Sequence, residues 1–245
     1  MIESQIILGD FYEELPKIRT KTVDMILTDL PYNVTQNKWE VKLDLIRMWD
    51  LFHHVLKDDG VVVLTSQQPF TTDLIQSNRK EFKYDLVWNK KLKSGHLNAK
   101  KMPLRIHESI LVFYKNQCCY NPQKEIGEKS HSIGKAQFHK TNNGYGEHYY
   151  VDNSEEYGNL KYPSSIIEFQ KPHPSSSLHP TQKPVKLFEY LIKTYTNEGD
   201  IVLDCCAGSG TTAKACINTN RNYICIEKEP QYTDIILQRV NGGQS

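Results

Sequence analysis

The sequence predicts an α/β fold, an open mixed sheet with helices on both faces, from three observations. Short apolar, largely β-branched runs at Gln5 to Leu8, Val23 to Leu27, Val61 to Leu64, Tyr84 to Trp88, Ile110 to Tyr114 and Ser165 to Phe169 read as strands. Stretches with helical periodicity lie between them, the widest being Leu43 to Leu56. The chain then closes with a βαβα unit: strand Ile201 to Leu203, the Gly-rich turn Asp204 to Gly210, helix Thr211 to Thr219, strand Tyr223 to Ile226 and helix Gln231 to Val240. That unit has too few strands to form a doubly wound sheet alone. It must join the N-terminal strands, so that one domain is closed from both ends and the middle is an insertion.

In order along the chain, Gly9-Asp10 puts a carboxylate just after the first strand, and Glu13 to Ile18 reads as a short helix. The helix Leu43 to Leu56 ends at a turn signal, Asp58-Asp59-Gly60. Pro69 to Ile75 is a further helix, and Asn89 to Gly95 reads as a basic loop. From Lys115 to Ser164 aliphatic residues thin out and Tyr, His, Asn, Lys and Gly dominate, which is not the core of an α/β sheet. Lys171 to Pro180 is a Pro, Ser and His-rich connector, and Pro184 opens a helix running to about Tyr195.

At 245 residues the chain is long enough for one large domain with an insertion. It lacks an apolar run near the ~20 residues needed to span a bilayer and begins with no signal pattern, so a cytoplasmic protein without membrane contact is expected. Six cysteines without C-x-x-C spacing read as reduced thiols, and no metal site is expected. Net charge is +1, but Arg79 to Lys140 holds 14 Lys or Arg against 5 acids, an excess of +9 that leaves −8 elsewhere. Such a segment suits a polyanion, while solvated surface lysines explain it about equally well.

Two motifs carry chemistry. Asp29-Leu30-Pro31-Tyr32 follows a buried strand and presents a carboxylate, peptide carbonyls and an aromatic face where ligands of open sheets bind. Those groups suit a flat, hydrogen-bonding nucleobase. Gly208-x-Gly210-x-x-Ala213 follows a strand and opens a helix, with Glu227 at the end of the next strand, 19 residues after Gly208. This is the pattern of a nucleotide-cofactor turn, the acid bonding ribose hydroxyls. By itself it leaves a nicotinamide dinucleotide and S-adenosylmethionine open. Asp10 and Asp204 at the same rim would repel a pyrophosphate and welcome a sulfonium and an ammonium group.

Asp29-Leu30-Pro31-Tyr32 resembles the D-P-P-Y signature of amino-methylating DNA methyltransferases. His179 to Pro184, followed by its helix and by Asp204 to Thr212, is similar to the cofactor half of their β-class, in which the catalytic motif precedes the cofactor motif. The resemblance implies a Rossmann-like class I methyltransferase fold with permuted motif order. Residues 1–114 and 165–245 would form the catalytic domain and 115–164 an inserted target-recognition region.

It further implies that S-adenosylmethionine is held by Asp10, Thr181, Lys183, Asp204, Ala207, Gly208, Ser209, Gly210 and Glu227. Gly208 to Gly210 would wrap the methionine part, Asp204 its amino group, Glu227 the ribose and Asp10 the adenine amine. Asp29, Leu30, Pro31 and Tyr32 are the implied catalytic set: Asp29 and the Leu30 carbonyl accept the target amine's hydrogens, and Tyr32 stacks on a base flipped out of double-stranded DNA. Leu30 departs from the signature's first proline, which leaves its carbonyl as the group expected to matter. Adenine N6 is the implied target, with cytosine N4 the alternative. A DNA-binding module with a vestigial cofactor pocket is the non-enzyme alternative. The class also implies a common homodimer and allows a cognate restriction endonuclease as partner.

Overall fold

The computed structural model of the chain describes residues 4–31, 43–128, 158–171 and 182–242, together with the backbone of 137–139 and 148–150. The chain divides into two compact units, Met1–Asn121 with Ser165–Ser245, and Pro122–Ser164.

The first unit is built on an eight-stranded sheet. Its strands are β1 (Gln5–Leu8), β2 (Val23–Thr28), β3 (Leu56–Ser66), β4 (Phe82–Ser94), β5 (Arg105–Phe113), β10 (Ile166–Glu168), β11 (Ile201–Asp204) and β12 (Asn222–Glu227). They lie in the order β1-β12-β11-β2-β3-β5-β4-β10. Only β5 runs against its neighbours, so the sheet is mixed, and every other strand ends at one common rim. The C-terminal βαβα unit inserts between β1 and β2, closing the domain from both ends of the chain.

Alternation along the strands sorts side chains onto two faces. Met25 and Leu27 of β2 pack with Leu187, Phe188, Leu191 and Ile192 of helix α4 (Val185–Tyr195), with Ala213 of α5 (Thr211–Asn218) and with Ile236 of α6 (Pro230–Val240). Ile26, between them in sequence, packs on the other face with Phe11 of α1 (Phe11–Glu14), Met48 and Phe52 of α2 (Leu45–Val55), and Phe70 and Leu74 of α3 (Phe70–Ser77). Met25, Ile26 and Leu27 are all fully buried, as a strand covered on both faces requires.

Three sequence expectations shift. Asn89 to Ser94 is not a loop but the continuation of β4, paired Asn89 to His107 and Ser94 to Arg105 of β5. Asp58-Asp59-Gly60 does not end a helix; it forms an irregularity inside β3, since Val23 pairs with Leu56 and Met25 already with Val61. A Cβ at Gly60 would lie 2.7 Å from the Leu56 side chain, so only glycine fits the bulge. Residues 115–121, expected in the insertion, belong to the first unit because Cys118 is buried in its core and the Asn121 amide donates to the Thr194 carbonyl (2.7 Å) at the end of α4.

The second unit contains two antiparallel pairs, β6 (Glu125–Ile126) with β9 (Leu160–Lys161) and β7 (Gln137–His139) with β8 (His148–Tyr150). Among the described residues no helix is long and apolar enough to cross a membrane.

Candidate active site

The common rim gathers Asp10 after β1, Asp29 after β2, and Asp204 and Glu227 as the last residues of β11 and β12. The Gly-rich turn follows β11. Gly208 and Gly210 both take positive φ (52° and 76°), and a Cβ at Gly210 would stand 2.9 Å from Ile236 Cγ2. The Arg239 guanidinium of α6 donates to the Ser209 carbonyl (2.9 Å), pinning the turn from behind.

Glu227 faces that turn. Its carboxylate accepts from the backbone amides of Gly208 (2.7 Å) and Glu229 (3.0 Å), and burial pushes its carboxyl up despite those donors. The Lys228 amide is a further donor to it; a carboxylate offers about four acceptor positions, so this one is fixed in place with capacity left for a ligand hydroxyl. Asp10 is spent in part on capping α1, accepting from the Tyr12 amide at 2.8 Å, and remains exposed.

Asp204, expected near the amino group of the cofactor, is engaged within the fold. It is buried, and its oxygens accept from the Thr28 hydroxyl (2.7 Å), the Cys206 amide (3.1 Å) and the Thr212 hydroxyl. These bonds tie β2, the turn and α5 together. Burial pushes the Asp204 carboxyl up to about 6.

On the acceptor side, Asp29 is partly buried, between the Thr65 hydroxyl of β3, which donates to Oδ1, and the Lys183 ammonium, which donates to Oδ2. Leu30 differs from the expectation that only its carbonyl matters: its side chain is buried in the core with Phe11 and Met48, anchoring the residue that follows the acid. Pro31 is half-buried. Tyr32 and Thr181 lie outside the described residues.

Lys183, expected on the cofactor, gives its ammonium to Asp29, and its carbonyl accepts from the Thr211 hydroxyl (3.4 Å) at the turn. The ammonium also lies 3.6 Å from Glu108 Oε2, while Lys90 donates to Glu108 Oε1 at 3.1 Å. A chain of alternating charge, Lys90, Glu108, Lys183, Asp29, thus runs from β4 and β5 to the end of β2. Its first three members are nearly dry, Lys90 and Glu108 being 2 % and 4 % exposed, so each of these ions depends on its partners. Burial pushes Glu108 up, but Lys183 and Lys90 outweigh it and hold the carboxyl below the usual range. Burial likewise pushes Lys183 down, and Asp29 and Glu108 reverse it. Among the described residues, Glu108 Oε2 is a buried atom without a hydrogen-bond partner.

Residues 23–238 match a family model described as DNA methylase, of the N6 and N4 methyltransferases. The chain belongs to the N6/N4 DNA methylase family. It is 30% identical over 253 residues to the DNA adenine methyltransferase YhdJ of Escherichia coli K12, covering 96% of this chain and 82% of that protein. It is 24% identical to the type II methyltransferase M.HpaI of Haemophilus parainfluenzae, over 98% of this chain and 75% of the other. Among solved structures, the M1.HpyAVI complex with S-adenosylmethionine superposes with a TM-score of 0.68, at 24% identity and over 97% and 98% of the two chains. The cytosine-N4-specific PvuII methyltransferase gives 0.65, at 17% identity over 99% and 94%.

This methylase therefore has the class I methyltransferase fold, and its family takes the methyl group from S-adenosylmethionine. The rim fits such a donor: the glycine turn leaves room for backbone approach, Glu227 is a fixed acceptor, and the carboxylates there suit a cationic ligand rather than a pyrophosphate. Sequence reasoning misses Thr65, Lys90, Glu108 and Arg239. Lys90 and Glu108 both stand in the basic stretch Arg79 to Lys140, where they read as surface charge.

Proposed function

We propose that this methylase transfers the methyl group to adenine N6 in double-stranded DNA at a specific site, after the base is flipped out of the helix. The observation that carries the reading is Asp29, oriented from two sides by Thr65 and Lys183 at the rim that also holds the glycine turn.

S-adenosylmethionine supplies an electrophilic methyl group on a sulfonium. Gly208, Ser209 and Gly210 would hold its methionine part, beside Ala207, and Glu227 its ribose, with Asp10 toward the adenine amine. Asp204, its oxygens committed within the fold, acts by shaping the turn and by its buried charge.

An exocyclic amine is a weak nucleophile because its lone pair is delocalised into the ring. Asp29 and the Leu30 carbonyl accept its two hydrogens, concentrate electron density on nitrogen and aim the lone pair for in-line displacement. The buried Leu30 side chain and the ring of Pro31 keep that carbonyl in position, and Tyr32 stacks on the base. Thr65 and Lys183 fix the carboxylate beforehand, so it does not reorganise during the reaction. Flipping costs a few kcal/mol, which stacking and backbone contacts offset. Residues 122–164 serve as the target-recognition region, in keeping with their Tyr, Asn and Lys-rich sequence.

The test is digestion to nucleosides of duplex DNA incubated with the protein and methyl-labelled S-adenosylmethionine. Label in N6-methyladenine is expected; label in N4-methylcytosine would overturn the base assignment. The adenine-named relative supports adenine, while the N4-specific structural likeness is the reason to measure it.

A further inference from the structure

The hairpin of β4 and β5 stands out from the rest of the rim. By register Thr28 is level with Leu64, Leu111 and Asp85 on successive strands. The pair Ser94 to Arg105 lies six residues further along β5, or roughly 20 Å beyond the end of β2 at the usual rise per residue. Its direction is that in which Asp29 leaves the sheet.

The base of this arm is firmly mounted. Lys90 is buried against Glu108, Arg105 donates to the Gln67 side chain, and Lys91 pairs with Glu168 at 2.8 Å. The tip is a self-bonded turn: Asn98 and Ala99 amides donate to Gly95 and His96 carbonyls (2.9 and 3.1 Å), and Lys101 and Met102 amides to Asn98 (2.8 and 3.0 Å). On it Leu97 is 102% exposed and Met102 56%, flanked by exposed Lys93, Lys100 and Lys101. From Asn89 to His107 the sequence contains no carboxylate.

Among the described residues nothing accounts for a fully exposed leucine on this turn. An occupant with anionic flanks and an apolar, stacked interior does, and duplex DNA is such a partner. A base flipped toward Asp29 leaves a gap in the stack on the same side of the sheet as this tip. We propose that the hairpin tip is a DNA wedge, in which Lys93, Lys100 and Lys101 take backbone phosphates and Leu97 enters the stack beside the vacated position. The proposal rests on the base-flipping reading above and adds to it a second DNA-contacting element, separate from residues 122–164.

The experiment uses the full chain, with Leu97→Ala and the double variant Lys100→Gln/Lys101→Gln. Both change exposed side chains and leave the core untouched. The first readout is methylation of a duplex carrying the mapped target sequence, against the same duplex with an abasic site opposite the target adenine. Leu97→Ala is expected to lower kcat/KM about 10- to 100-fold on the paired duplex and less than about threefold on the abasic one, where little flipping cost remains. Equal loss on both, or none on either, overturns the wedge while the methylation reading stands.

The second readout needs no turnover: binding to a mixed-sequence duplex as a function of salt. The double variant is expected to reduce the slope of log K against log salt by between 1 and 2, at about 0.9 for each phosphate that a lysine no longer neutralises. An unchanged slope removes the lysines from the interface. If that variant instead loses binding to phosphatidylserine vesicles and keeps its DNA slope, the tip is a membrane contact and the proposal falls. If the unaltered protein transfers no methyl to any DNA, the flipping reading fails, and the salt slope still reports whether the tip touches the duplex.

Discussion

Replacing Lys183 with Met removes the ammonium that lies between Asp29 and Glu108 while keeping a chain of similar length. At the 3.6 Å separation from Glu108, an effective dielectric of about 20 gives an attraction of about 5 kcal/mol, and breaking a buried pair by removing one partner costs about 3–5 kcal/mol. For a chain of 245 residues that is roughly a 10 °C fall in melting temperature.

The pH range follows from the shifts. Lys183 is held above its ordinary value, so its contribution persists until pH rises through that range; Glu108 is held below its own, so its contribution is lost as pH falls through the carboxylate range. The gap between wild type and variant is therefore level from about pH 6 to 9 and narrows below about pH 4.

Catalysis separates the two roles that Lys183 could have. Its carbonyl, which survives the substitution, meets the turn, while its ammonium holds Asp29. Calorimetric titration should show affinity for S-adenosylmethionine within about threefold of wild type, and single-turnover transfer should fall about 100-fold, the scale of a misplaced catalytic group. A cofactor affinity weakened tenfold or more with a normal transfer rate would return Lys183 to the cofactor. A stability loss below about 1 kcal/mol would refute the buried chain of charges.

Two further outcomes follow from the turn. Asp204 is raised to about 6 in the fold from an ordinary 3.8, so the folded state binds its proton more tightly and stability falls as pH rises from about 4 to above 6. That is worth about 3 kcal/mol at 1.36 kcal/mol for each pKa unit; Asp204→Asn, which keeps an acceptor for Thr28 and Cys206, should gain that much relative to wild type between pH 4 and 8 in urea melts, and a pH-independent difference would contradict it. Gly210→Ala should lower the urea midpoint more than Gly95→Ala: both have positive φ, but only at Gly210 does the new Cβ meet a neighbour, Ile236, adding overpacking to a backbone penalty of about 1–2 kcal/mol. Equal losses would mean that the contact with Ile236 carries no cost.

The apolar strands and the glycine turn are legible because their signals are local. Val23 to Leu27 is buried on both faces and so has no polar alternation to obscure it, and two glycines after a strand mark one backbone geometry. Asn89 to Ser94 is illegible for the opposite reason. Its lysines read as solvated loop until Lys90 is seen against Glu108, a partner 18 residues away across the hairpin. Lys183 stands out as a site residue, but nothing in its sequence context points to its ion pair with Asp29, 154 residues distant. Leu30 looks like a lost proline, and only the core beneath it gives its side chain a function. The identity of Asp29 as the acid at the acceptor site comes from its motif, whereas Thr65, which orients it, directly follows the run Val61 to Leu64, which reads as plain core.

Asp29 is where the account is most exposed to test. Single-turnover methyl transfer to duplex DNA by Asp29→Ala, alongside calorimetric titration with S-adenosylmethionine, separates loss of the acceptor site from loss of the fold. Cofactor affinity within about threefold and transfer reduced at least about 1000-fold, the scale of removing a preorganised acceptor, is the predicted result. Turnover that survives the substitution would contradict the assignment of Asp29 as the group that activates the target amine.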